Sequence, residues 1–421
     1  MDEYLQRRQQ LINVDRVRRI DASSFAKDVS LVRLSQDADS IFREIRALEA
    51  ESIWGPESDP PAAVDDPTHI FPGMAFLTAR DIILKTELFE MMLKMPKGAL
   101  LHAHLDATVN AEVLVQLALQ HPSIHMRTAE RLTAANMGSI LPEFRPLASA
   151  KDSPVSLTAE SYQPGTWVPL LRAREDFPPD LGGPSGFDRW LVRAMTISPA
   201  EAYKTHNTTT KIWAKFGGIF LVAHPLVYYM PIWRDYIRKF FWSTIEDGIS
   251  YVEVRINFRW RYMFDEHGEE TIPHREWLQE YDRIMNEVKA ELKAQNRGDE
   301  FICSKIIYSA VRFITPEELE WHLEDCITLK QEFPHLIAGF DLVGHEDSLR
   351  PLIDYIEPLT KFANRVTELG LDLPFIFHAG ETLGDGTPAD MNLYDAILLG
   401  TKRIGHGFVF KSHPSLCGMA E

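Results

Sequence analysis

Cysteine is scarce in this chain: only Cys303, Cys326 and Cys417 occur, with no C-x-x-C spacing between them. That excludes a disulfide scaffold and favours a reducing compartment. No run approaches the ~20 apolar residues of a membrane-spanning helix. The opening stretch, MDEYLQRRQQLINVDRVRRI, lacks the apolar core of roughly 7–15 residues that a secretory signal carries, so the expected location is cytoplasmic. Basic charge is also short. The formal net charge is −17, which disfavours nucleic acid or an anionic membrane as partner, because phosphate binding needs a basic patch. Internal repeats and low-complexity tracts are absent.

What is present is ordinary globular composition: 421 residues, 45% hydrophobic and 25% charged, enough for one large core with an appendage. Residues 1–54 read as helical and charged, with Ile41, Ile45 and Leu48 of SIFREIRALEA on one face. A Pro-rich linker follows at 55–73. Then TARDIILKTELFEMMLKM predicts one helix, capped by Thr78 with Asp81 three residues later, striped by Ile82, Phe89 and Leu93, and ended before Pro96. Residues 1–95 are therefore expected to form an N-terminal helical extension.

From residue 96 the pattern changes to short apolar runs that end in polar or glycine-bearing turns: 98–106, 250–257, 304–313, 337–347, 374–381 and 403–407. Helix-like stretches lie between the later ones. This predicts an α/β fold of the TIM-type (β/α) barrel kind, with a doubly wound sheet as the alternative. The barrel is preferred because polar residues close several different strands, whereas an open sheet gathers them at one switch point. The long interval after the first strand predicts an inserted subdomain or lid at about 123–184.

His102 and His104 stand two apart in a strand, so both imidazoles face one side. A polar turn or a hydrogen-bonded core histidine is the plainer reading of that pair alone. His378 closes another apolar run, and three imidazoles from two strand ends suit Zn²⁺, one per chain. Glu381, one short turn past His378, is placed for general acid or base work without occupying the metal; capping the next helix is its other reading. His406, between Gly405 and Gly407, is open between a fourth ligand, an orienter of water and a simple turn residue.

Five ordered motifs, MPKGALLHAHLDATV, YVEVRINF, AGFDLVGHED, FHAGET and TKRIGHGF, resemble the adenosine deaminase family, in particular its growth-factor-related subfamily. The resemblance implies zinc held by His102, His104 and His378. It implies Glu381 as proton donor to the purine ring nitrogen beside the attacked carbon, and His406 as the residue that positions and deprotonates the attacking water. Asp106 would bind the ribose, and the Gly344 N–H another ring nitrogen. The implied reaction is hydrolytic deamination of adenosine or 2′-deoxyadenosine, with AMP or adenine as other substrates and an inactive nucleoside- or partner-binding relative as the non-enzymatic reading. Also implied are a homodimer through the N-terminal helices and, from secreted relatives, an extracellular alternative to the cytoplasm.

Two local departures accompany the resemblance. HAHLD puts its aspartate two residues after the second histidine, as in the short deaminases, and the insertion lacks the cysteines of secreted relatives. A third is larger: the family's eighth strand ends in Asp-Asp-Pro, but VFKSHPSLCGMAE at 409–421 offers neither that triplet nor a further strand–helix unit. The expectation is an incomplete barrel, about six of eight strands, truncated at its C-terminus, with open edges at its first and last strands. Asp65-Asp66-Pro67 copies the triplet in a Pro-rich linker and reads as a coincidental turn. His345 reads as a hydrogen-bonded turn residue. Ordinary packing is favoured over lid roles for Trp167 and Trp190.

Overall fold

The computed structural model describes residues 2–19, 29–54, 70–147 and 155–417. Internal contacts divide the chain into two units, Met1–Met95 and Pro96–Glu421. Asp65-Asp66-Pro67 lies outside the described residues.

The first unit is helical. Helix α1 (Asp2–Arg19) is polar all round, and α2 (Val29–Ser52) buries Ile45 and Glu49 but leaves Ile41 and Leu48 exposed. The single helix expected after Thr78 is two: α3 (Phe76–Ile83) and α4 (Glu87–Leu93). Thr78 lies inside α3 and caps nothing; Ala75 precedes that helix without a side-chain cap. The cap is Thr86, whose hydroxyl oxygen accepts the Phe89 N–H at 3.2 Å and whose O–H donates to the Ile83 carbonyl at 2.9 Å. Glu49 takes the next orphan donor of that first turn, the Leu88 N–H, at 2.9 Å.

In the second unit a parallel sheet runs in the order β1 (Gly98–His104), β5 (Ile249–Asn257), β8 (Cys303–Val311), β9 (Ile337–Val343). β8 and β9 are buried along most of their length, both faces covered, as parallel strands require. The array continues through Phe340, whose backbone bonds Pro374 and Ile376 at 2.9 Å each. It reaches the short parallel pair β10 (His378–Ala379) and β11 (Gly405–His406). So the six runs read in the sequence pair in order as six parallel segments. Among the described residues β11 and β1 share no ladder. Arg403, just before β11, reaches across instead: its guanidinium donates to the Leu101 carbonyl of β1 at 3.1 Å and to Glu253 of β5 at 2.5 Å.

Between β1 and β5 come α5 (Ala111–Leu119) and a three-stranded antiparallel sheet of β3 (Glu143–Pro146), β2 (Ile124–Arg127) and β4 (Val168–Pro169). Then follow α6 (Leu170–Glu175), α7 (Gly183–Ala194), α8 (Thr209–Val227) and α9 (Met230–Glu246). Such short strands explain the weak periodicity of this interval. Trp190 is buried against Phe177 and Phe187, and Trp167 lies under Arg127 at 4.5 Å; both pack. A β-hairpin, β6 (Tyr262–Phe264) with β7 (Glu270–Pro273), precedes α10 (His274–Ala294). Helices α11 (Pro316–Glu332), α12 (Ile356–Glu368) and α13 (Pro388–Leu398) connect the later strands, α11 opening with a Thr315–Glu318 capping box. No described helix is long and apolar enough to cross a membrane.

Candidate metal centre and catalytic site

Strand geometry gathers the histidines. The His102 and His104 ring centroids lie 5.5 Å apart at the C-terminal end of β1. His378, on β10, is 4.7 Å from the His102 ring and 5.2 Å from that of His104. His406, on β11, is 4.8 Å from His102 and 5.2 Å from His378. The ring nitrogens of His102, His378 and His406 include one atom each within 4.8 Å of the others, and His104 Nε2 is 3.3 Å from His378 Nε2. Three imidazoles from three strand ends thus face one point, and His104 stands beside His378. His406 holds its place with a left-handed backbone, φ +71°, an outlier for a non-glycine residue that commonly marks a functional position. Gly405 makes room: a Cβ there would sit 2.9 Å from His102 Cε1.

Electrostatics favour the neutral form of three of these rings. Burial, then the charge of Arg255 and the neighbouring imidazole of His378, lowers His102 to about 3. Burial and then His378 lower His104 to about 3 and His406 to about 4. Each therefore offers a bare lone pair at neutral pH, the form a metal ligand needs. His378 is oriented from behind. Its Nδ1 faces Asp341 Oδ2 at 2.7 Å and its backbone N–H donates to Asp341 Oδ1 at 3.0 Å, so Nδ1 carries the proton and Nε2 is left toward the cluster. Asp341 is wholly buried and accepts from Arg255 Nε at 2.6 Å. Burial alone would raise its carboxyl, but the His378 ring facing it and then the Arg255 guanidinium outweigh that and hold it below the usual carboxylate range. Three neutral imidazoles, with a fourth ring locked in place by a carboxylate, are a donor set that fits a divalent metal.

Glu381 Oε1 lies 3.3 Å from His406 Nε2. Burial, then the nearby Glu346 carboxylate, pushes its carboxyl up to about 7, the value of a group that can hold a proton near neutral pH. Asp106, expected near the sugar, is buried in the turn after β1. There His224 of α8 meets it, Nδ1 to Oδ2 at 3.1 Å. Tyr236 of α9 steadies the same turn, its O–H donating to the Leu105 carbonyl at 2.8 Å. Gly344 follows β9 with φ +114°. His345 bonds Ser348 at 2.7 Å, as a turn residue, and stacks on Trp213 at 4.4 Å.

Sequence reasoning missed Asp341, Arg255, His224 and Glu346. Two carried a signal: an acid inside the apolar run IAGFDLV and an arginine inside YVEVRIN are too costly to bury unless paired with each other.

No protein-family model matches the chain. Among curated proteins, adenosine deaminase 2-A of Danio rerio is 31% identical over 83% of this chain and 63% of its own length. Adenosine deaminase 2 of Homo sapiens is 33% identical over 83% and 62%. The chain thus spans less than two thirds of these relatives. The adenosine deaminase of Lutzomyia longipalpis is 30% identical over 93% of this chain and 68% of its own. An adenine deaminase structure from Arthrobacter aurescens superposes over 77% of this chain and 68% of its own at 14% identity and TM-score 0.42, a likeness too loose to carry an argument. On the relatives' sequences, the chain belongs to the adenosine deaminase family.

Proposed function

We propose that the chain is a zinc-dependent hydrolase that deaminates adenosine or 2′-deoxyadenosine to the corresponding inosine. The observation that carries this reading is the meeting of four imidazoles with a carboxyl whose pKa is pushed up to about 7: the His102, His104, His378 and His406 rings together, and Glu381 3.3 Å from His406. His102, His104 and His378 would hold the ion. Zinc, when bound, supplies the Lewis acidity that makes water a nucleophile near neutral pH.

The residues of the chain do the rest. His406 accepts the proton that the attacking water loses. Glu381 gives its proton to the purine ring nitrogen beside the attacked carbon, which makes that carbon electrophilic. As the tetrahedral species collapses, His406 passes its proton to the exocyclic nitrogen, which leaves as ammonia, and the new hydroxyl returns a proton to Glu381 as it becomes a carbonyl. Asp106 accepts a hydrogen bond from the sugar, and the Gly344 N–H donates to a second ring nitrogen. The expected partner is a purine nucleoside. Pairing of two copies through the N-terminal helices is a proposal that rests on family resemblance.

The test is incubation of the purified chain with zinc and adenosine, following loss of absorbance near the adenosine maximum. Turnover that requires the metal is expected. No turnover together with nucleoside binding would replace this reading with that of an inactive binder, and faster turnover of AMP or adenine would reassign the substrate.

A further inference from the structure

Glu346 has no part in the reaction described so far, yet it is one of the few buried acids of the second unit. It lies in the turn after β9, 2% exposed. Its two carboxylate oxygens divide between two successive amides of another loop: Oε1 accepts the Gly380 N–H at 3.0 Å and Oε2 the Glu381 N–H at 2.7 Å. Oε1 also accepts from the side-chain amide of Asn392, on α13, at 2.9 Å. The Arg312 guanidinium, fully buried, stands 3.8 Å away and donates to the carbonyls of Leu342 and His378. The next residue joins in: Asp347 accepts the Thr382 hydroxyl at 2.5 Å.

The 380–382 turn is thus gripped from one side at three consecutive residues. Gly380 has φ +67°, and successive N–H groups around such a residue converge to form a small anion-binding concavity. Here that concavity is filled by a carboxylate of the same chain. A Cβ on Gly380 would meet Val409 and Leu393 at 2.7 and 2.9 Å, so the turn has no room for a side chain there. The side chain this turn aims is that of Glu381.

We infer that Glu346 is a positioning residue for Glu381, a clamp that fixes the backbone from which the proton donor projects. This rests on the deaminase reading for its catalytic meaning, not for its structural content. The clamp restrains geometry without touching metal or substrate. A displacement of about 1 Å at a reacting group costs on the order of 100-fold in rate. The GHED and HAGE motifs are then two halves of one device.

The experiment compares the wild-type chain with Glu346→Ala and Glu346→Gln, measuring zinc content, adenosine kinetics and amide hydrogen exchange. In Glu346→Ala, kcat falls roughly 100-fold while KM and zinc content stay within ~3-fold. Exchange at Gly380 and Glu381 accelerates at least ~10-fold, and the β8 amides keep their protection. Glu346→Gln, which keeps one acceptor oxygen, recovers part of both effects and covers the case in which the alanine variant does not fold. Unchanged exchange at 380–381, or kcat within ~3-fold of wild type, overturns the clamp. A wild-type chain that turns over no adenosine overturns the deaminase reading instead, and exchange alone then decides whether the clamp exists.

Discussion

Asp341 stands directly behind His378, with Oδ2 2.7 Å from Nδ1 and Oδ1 taking the same residue's backbone N–H at 3.0 Å. One buried carboxylate thereby sets both the tautomer and the ring orientation of a proposed metal ligand, and Arg255 Nε donates to the same Oδ2 at 2.6 Å. Asp341→Asn should weaken zinc binding ~10–100-fold, as read by chelator competition. Leaving Arg255 without its carboxylate should also lower unfolding free energy by ~3–5 kcal/mol in denaturant. Unchanged zinc affinity would separate Asp341 from the metal centre.

Glu381→Gln keeps the size and most contacts of the side chain but cannot give a proton to the ring. Turnover should fall ~100- to 10,000-fold with zinc content unchanged. A near-normal rate would remove Glu381 as the acid.

Gly405→Ala tests the packing of the histidine cluster. The new methyl would sit 2.9 Å from His102 Cε1, so the ring must shift. Expected are a stability loss of ~1–3 kcal/mol and weaker zinc binding, measured by thermal unfolding and metal titration. If both match wild type, His102 is not held where described.

Asp390 makes stability depend on pH. Burial alone would raise its carboxyl, but the hydrogen bonds from His413 Nε2 at 2.9 Å and the Gly386 N–H at 2.9 Å hold it below the ordinary carboxylate value. A depressed carboxyl stabilises the fold above its unfolded value, ~pH 4, and loses that contribution as pH falls through its folded value. Asp390→Asn should therefore cost ~1–2 kcal/mol at pH 7, with the gap closing below about pH 4. A gap that is constant or wider at low pH would contradict this.

The sequence carried the site better than its supports. His102 and His104 were readable because a strand repeats every two residues, and His378, Glu381 and His406 because each stands among glycines at the end of an apolar run. The six parallel segments were readable for the same reason. Asp341 and Arg255 carried a weaker signal: a charge inside an apolar run calls for a partner, but nothing local names one 86 positions away. Glu346 looked like any polar turn residue until folding brought it under the Gly380 and Glu381 amides. Thr78 and Thr86 both offer a hydroxyl before apolar residues, and only the chain's reversal at 84–86 makes Thr86 the cap. The contact of Arg403 with β1 and β5 depends on side-chain reach, which periodicity does not encode.

The most direct test strips the chain of metal with a chelator and returns zinc stepwise while adenosine turnover is followed. Convergence of His102, His104 and His378 on a single ion predicts that activity vanishes, then recovers to a plateau at one equivalent, and that alanine at any of the three abolishes the recovery. Activity that survives the chelator, or a triple-alanine variant restored as fully as wild type, would contradict the account.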